Sequence, residues 1–269
     1  SNNIGVGKSA LYENTTGAQN TAVGTDSSDA ITTGIENTAI GYGTLGSTTT
    51  GGYNVAVGSR ALDNNTTASN NNALGYNALG ANTTGYHNCA IGTSALSYNT
   101  TGNTNAAFGN ASLARNTTGG SNTAVGYGAM FETTTGSTNV GVGTYALYDN
   151  TTGGNNTAVG EAALRKNTTA SDNTALGRRS LFETTTGSNN VAVGTQALYN
   201  NTTGAQNVAL GSRAVESNTT AGNNIGIGYS AVRETTTGAN NVGVGTDALQ
   251  QNTTGNKNVA VGVIALDAN

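Results

Sequence analysis

Apolar and polar residues along this chain follow one phrase. The pattern Asn-x-Ala-x-Gly, with Val, Ile, Leu or Thr at most x, closes on Gly7, Gly24, Gly41 and every seventeenth residue to Gly262. That makes sixteen copies with no insertion or deletion. Numbered from its Asn as position 1, the copy beginning at Asn156 reads NTAVGEAALRKNTTASD. Position 1 is always Asn, position 3 is Ala or Gly, position 4 is apolar and position 5 is Gly. Position 8 is Ala, Ser or Thr, and position 9 is Leu, Val or Met except at Ser28. Positions 13 and 14 are Thr-Thr in all fifteen copies that reach them.

The alternation over positions 1 to 5 predicts a short strand. Ala-Leu at positions 8 and 9 predicts a second short extended stretch, and Asn-Thr-Thr-Gly predicts the corner, where Asn and Gly accept positive φ. No helical period is sustained, and Gly and Thr are poor helix formers. A fixed period of this size marks a solenoid, in which each coil buries its apolar face against its neighbours. The expected architecture is an all-β parallel β-solenoid forming one repeat domain over residues 1–269. It has fifteen complete coils from Asn3 and a partial coil over 258–269. At about 4.8 Å per stacked strand, such a rod would be roughly 75 Å long.

Charge completes the pattern. All ten Lys and Arg and all fourteen Asp and Glu fall at positions 6, 7, 10, 11 and 17, which must therefore face water. The face bearing positions 1, 3 and 5 carries neither charge nor bulk, so close packing is expected there. One expectation is self-association through the small column at position 3, represented by Ala158, Ala175 and Ala192. The other is packing against the opposite wall of the same coil. Ile31, where Asn usually stands, is expected to refill a vacancy left by Ser28 in the Leu column.

Asn-Asn-Val-Ala-Val-Gly (189–194), Asn-Asn-Val-Gly-Val-Gly (240–245) and Asn-Thr-Ala-Val-Gly (122–126) resemble the Asn-x-Val-Ala-Ile-Gly repeat of trimeric autotransporter adhesin heads. The longer form at 76–85 resembles repeats of bacteriophage tail-fibre and related surface proteins. The resemblance implies a left-handed parallel β-roll packed as a homotrimer. The adhesin heads have shorter turns, so this coil length departs from theirs. The first and last repeats look like interior ones, which suggests a segment of a longer fibre.

Candidate chemistry is sparse. His87 is the only histidine, in a solvent-facing column, so neither a metal cluster nor a His-based triad is expected within one chain. Cys89 is expected as a small buried hydrophobe and Met130 as core. Arg178 and Arg179 form an Arg-Arg pair, but a net charge of −4 favours solvated side chains over a nucleic-acid groove. The recurring Gly-x-Gly phrases lack the helix that a phosphate loop requires. Asn-Thr-Thr triplets match the glycosylation sequon as well as a corner role. Tyr42, Tyr76, Tyr127 and Tyr229 share position 6, where exposed rings could stack on sugars or protein partners.

No enzyme activity, metal or cofactor is expected, nor any nucleic-acid partner or membrane insertion. The expected role is a structural spacer and attachment segment of a trimeric extracellular or virion fibre, with a host-surface glycan or protein as possible partner. The alternatives are an ice-binding solenoid using its Thr ladders and an enzyme on a β-helix scaffold.

Overall fold

A computed structural model describes residues 2–267. Its contacts divide the chain into two units, one ending at Thr135 and the other starting at Gly136. The first unit holds strands β1 (Ile4–Val6) to β8 (Thr123–Val125), and the second holds β9 (Val140–Val142) to β16 (Val259–Val261). Every strand has three residues and starts seventeen residues after the one before it. Within each unit, successive strands pair in parallel and in step. In the second unit, β10 (Thr157–Val159) meets β11 (Thr174–Leu176) through Thr157 with Thr174, Ala158 with Ala175 and Val159 with Leu176. Because the period never varies, like positions stack on like, and the chain is an all-β parallel β-solenoid as expected.

The two faces of the strand are occupied in a way that settles between the two expectations for position 3. Ala158, Ala175 and Ala192 have 0% exposure within the single chain. They point into the coil, so they have no surface to offer a partner. The wall they face is that of positions 8 and 9. A β-carbon on Gly226, also position 3, would lie 2.6 Å from Val215 Cγ2 and 2.9 Å from the Ala231 carbonyl oxygen. The coil is thus narrow: one large side chain per turn, typically Leu at position 9, fills the space between the walls, and only Ala or Gly fits opposite. The core is this Leu column, with Leu164, Leu181, Leu198 and Leu249 fully buried, as is Met130.

The second wall is not the short extended stretch that Ala-Leu suggested. It is a run of tight turns with left-handed residues at positions 7, 9 and 17, for example Gln196 at φ 59°, Leu198 at φ 51° and Gln206 at φ 60°. Such conformations cost roughly 1 to 3 kcal/mol each for non-glycine residues. They persist because the turned backbone can bond to both neighbouring coils. The Gln196 N–H donates to the Arg178 carbonyl at 3.0 Å, while those of Leu198 and Asn200 donate to Ala214 at 3.0 Å and Glu216 at 2.9 Å. Turning at position 9 also aims the Leu side chain inward.

Ser28 and Ile31 are both buried, and their coil keeps the strand and turn pattern of the others. Ile31 therefore sits in the core, and the corner that its replacement of Asn was expected to alter follows the same turn pattern as its neighbours.

Candidate functional surfaces

A ladder of buried Asn at position 1 runs through the coils, and a second at position 12 joins it wherever Asn stands there. In the copy from Asn207, the Asn207 backbone N–H donates to Asn190 Oδ1 of the previous coil at 3.0 Å. Its Nδ2 donates 2.9 Å to the Ala221 carbonyl, fourteen residues on. Asn218, at position 12, donates to the same carbonyl at 2.9 Å and to Asn201 Oδ1 at 2.8 Å. One carbonyl at position 15 thus gathers both ladders and ties the corner to the strand. These bonds also answer the question of the sequons. Asn167 and Asn218 are fully buried with Nδ2 engaged, so the folded coil gives no access for glycan attachment.

The position-12 ladder runs one way and breaks where Asn is replaced. Buried Oδ1 atoms of Asn14, Asn116, Asn167 and Asn218 lack a hydrogen-bond partner. The residues that follow them in the column are Ile31, Thr133, Thr184 and Thr235, none of which has the amide needed to donate back. Thr235 instead turns its hydroxyl forward, 2.7 Å from the Asn252 carbonyl.

Along position 13 the Thr hydroxyl donates to the carbonyl of the Thr in the next coil, as from Thr151 to Thr168 at 2.9 Å, from Thr168 to Thr185 at 3.1 Å and, last in the column, from Thr236 to Thr253 at 3.1 Å. Position 14 is exposed along the column, at Thr67, Thr101 and Thr152 for instance. The Thr pair therefore splits, one column bonding coils together and the other facing water.

The outer face of the sheet carries positions 2 and 4. Val159, Leu176, Val193, Leu210 and Ile227 stand 36–38% exposed, and no charged residue occurs at either position in any copy. Cys89 lies on this face, half-buried, not enclosed as expected; desolvation raises its thiol pKa.

The expected tyrosines at position 6 are well exposed: Tyr42 and Tyr76 at 54%, Tyr127 at 53% and Tyr229 at 51%. Position 10 behaves differently in the second unit. There Phe182 and Tyr199 stack at 5.2 Å with 3° between planes, and Arg165 lies 5.9 Å from the Phe182 ring. Those rings cover neighbouring coils. Arg178 pairs with Glu161 at 3.0 Å on the surface, whereas Arg179 lies over Phe182 at 5.8 Å. His87 is exposed, edge-on to Tyr86 at 5.1 Å.

Among the recesses on the turn wall is a notch that sequence reading passed over. In the coil from Asn37, glycine stands at both positions 7 and 10, Gly43 and Gly46, and a cavity of about 270 Å³ opens there. Asp29 and Asp63 flank it from the coils on either side. Their Oδ1 atoms would lie 3.7 and 3.0 Å from a β-carbon on Gly46. Tyr42 and Arg60 complete the rim. Burial pushes the Asp29 carboxyl above its usual range, with neighbouring acids adding to it. Burial does the same to Asp63, partly offset by the charge of Arg60. The legible signal was the coincidence of two glycines in one coil, in columns where glycine otherwise stands singly, at Gly128 and Gly80.

Among the described residues, no three His, Cys, Asp or Glu side chains are grouped so as to hold a metal ion, and no helix is long and apolar enough to cross a membrane. No protein-family model matches the chain, and neither does any curated protein. The class defined by fold and surface is therefore a parallel β-solenoid with one uncharged outer face and one charged, turn-built face.

Proposed function

We propose that this chain is a structural segment of a fibre on a cell surface or virion, of the adhesin or phage tail-fibre kind, serving as rigid spacer and attachment surface and assembling as a homotrimer. The observation that carries this is the uncharged outer sheet face. Val, Ile and Leu at position 4 recur in register and stay more than a third exposed in strands such as Val159 and Leu176. A contiguous apolar stripe of this kind is unusual on a protein that works alone. Copies of the chain are suited to cover it, because they share its spacing and offer the same columns. The number three comes from the resemblance to adhesin heads. The contact columns are positions 2 and 4, in place of position 3.

Light scattering tests the assembly. The unmodified chain should have three times the monomer mass, and replacing Val159, Leu176 and Val193 together by Lys should release folded monomers. A stable monomer before any substitution would remove the trimer.

The ice-binding alternative draws on the exposed Thr column at position 14. That column is one residue wide, since the position-13 hydroxyls are already spent on carbonyls. Absence of thermal hysteresis at millimolar protein is the outcome expected, and clear hysteresis would favour the alternative.

A further inference from the structure

We propose that the notch between Asp29 and Asp63 is a saccharide-binding site that takes one pyranose ring of a surface glycan. The inference rests on the attachment role above and gives it a location. Four tyrosines share position 6, yet Tyr42 alone is followed by glycine at both position 7 and position 10. The missing side chains clear a space beside its ring, which is 54% exposed. An exposed aromatic ring presents an apolar face to the C–H face of a sugar.

The polar groups around the cleared space suit hydroxyls. Asp29 and Asp63 aim Oδ1 at the same place above Gly46, and neither carboxylate forms an ion pair. Paired carboxylates accept from neighbouring hydroxyls of one ring, while Arg60 and Ser47 supply donors to its oxygens. A mixed set of acceptors and donors with one aromatic wall matches a polyhydroxylated ring better than a bare cation, which would leave Arg60 opposed. Both carboxyl pKa values are raised chiefly by burial in the notch, although the backbone N–H groups of Asp29 and Ala30 already bond the Asp29 carboxylate. None of these residues stands at position 2 or 4, so a partner chain on the sheet face leaves the notch open.

The test uses the intact chain and saturation-transfer NMR with methyl glycosides of glucose, galactose, mannose and N-acetylglucosamine. At least one should receive saturation at its ring C–H protons. Tyr42→Ala, and separately Asp29→Asn with Asp63→Asn, should weaken its binding by about tenfold or more. Gly46→Gln should abolish it by filling the space, and Gly46 is not held at the positive φ that would forbid a side chain. Tyr76→Ala, the same position in another coil, should change nothing. Circular dichroism melts confirm that each variant is folded. The proposal falls if no glycoside receives saturation, if binding survives both Tyr42→Ala and Gly46→Gln, or if calcium chloride or methylammonium occupies the notch and no glycoside does. A monomeric chain that binds the glycoside would remove the trimer and keep the notch, whereas a trimer that binds none would do the reverse.

Discussion

The two walls of each coil solve the same stacking problem by opposite means. The strand wall uses small residues inside and apolar ones outside, keeps Asn and Gly fixed at its ends, and tolerates no charge. The turn wall carries the large core residue and all but one of the charge-bearing columns, and varies freely outside. The difference follows from what each wall can absorb. Strands pair in step at every residue, so any added bulk at positions 3 or 5 meets backbone. Turns project side chains at positions 6, 7, 10 and 11 into water, where Asp, Arg, Tyr and Gly exchange with little consequence for stacking. A ligand site can therefore arise on the turn wall by substitution, as at Gly43 and Gly46, while the strand wall stays uniform.

The sharpest way to break this contrast is at position 5. Gly177 holds φ +131°, and an added β-carbon would sit 2.6 Å from the Gly194 carbonyl oxygen and 2.7 Å from its carbon. Both the conformation and the contact exclude a side chain. Gly177→Ala should cost several kcal/mol, at or beyond about 4 to 5 kcal/mol, and leave the protein insoluble or melting far below the parent. A turn-wall glycine, Gly46, should accept Ala with a much smaller change in melting temperature. If the two variants melt alike, the walls are not mechanically distinct.

Next in size is a test of how the walls interlock. Position 9 is Val at Val215 and Val232, and position 3 of the following coil is Gly in both cases, at Gly226 and Gly243. A β-carbon at Gly243 would lie 2.6 Å from Val232 Cγ2 and 3.0 Å from the Ala248 carbonyl oxygen. Gly243→Ala alone should destabilise by about 1 to 3 kcal/mol, as overpacking does. Adding Val232→Leu, which restores the usual Leu-with-Ala pairing, should recover most of the loss. Denaturant melts of both single variants and the double would show this as non-additivity. Additive losses would mean that the Val-with-Gly pairing is coincidence.

The period, the strand at positions 1 to 5 and the water-facing charged columns were all legible in the sequence, because each repeats in a column. Three features were not. Which strand face turns inward is undetermined by alternation alone: Ala158 and Val159 are both apolar, and only the width left by Leu164 and its neighbours decides that Ala goes in. The left-handed residues at positions 7 and 9 were hidden because Ala162, Arg179 and Leu198 are not residues that favour positive φ. Position 17 did carry a signal, since Asn70, Asn155, Asn189, Asn223 and Asn240 stand there and Asn tolerates that conformation. The notch was hidden for a different reason: it arises where three coils meet at two glycines, and a template built column by column averages such a coincidence away.

A smaller effect, and of opposite sign, is expected where the position-12 ladder breaks. Thr184→Asn would place an amide where Asn167 Oδ1 has no partner and an acceptor where Asn201 Nδ2 now reaches Thr184 Oγ1 at 3.5 Å. The continuous ladder should raise stability by about 1 kcal/mol, the usual net value of a buried hydrogen bond. Loss of stability would show that Thr at this site serves a need that Asn cannot meet.

The smallest effect expected lies on the turn wall, at Asp63. Burial raises its carboxyl pKa from 3.8, with Asp29 adding to the shift and Arg60 opposing it. The folded chain therefore holds this proton more tightly than the unfolded chain does. Its contribution to stability is fully present below pH 3.8 and is lost as pH rises through the higher folded value. At neutral pH the ionised carboxylate is thus a mild liability, which Asp63→Asn should remove. The group is partly open to water, so screening keeps the gain below about 1 kcal/mol. Melts at neutral pH should place Asp63→Asn slightly above the parent, and below pH 3.8 the two should converge. A variant less stable than the parent at neutral pH would mean that the carboxylate is satisfied within the notch, and the case for a ligand there would weaken with it.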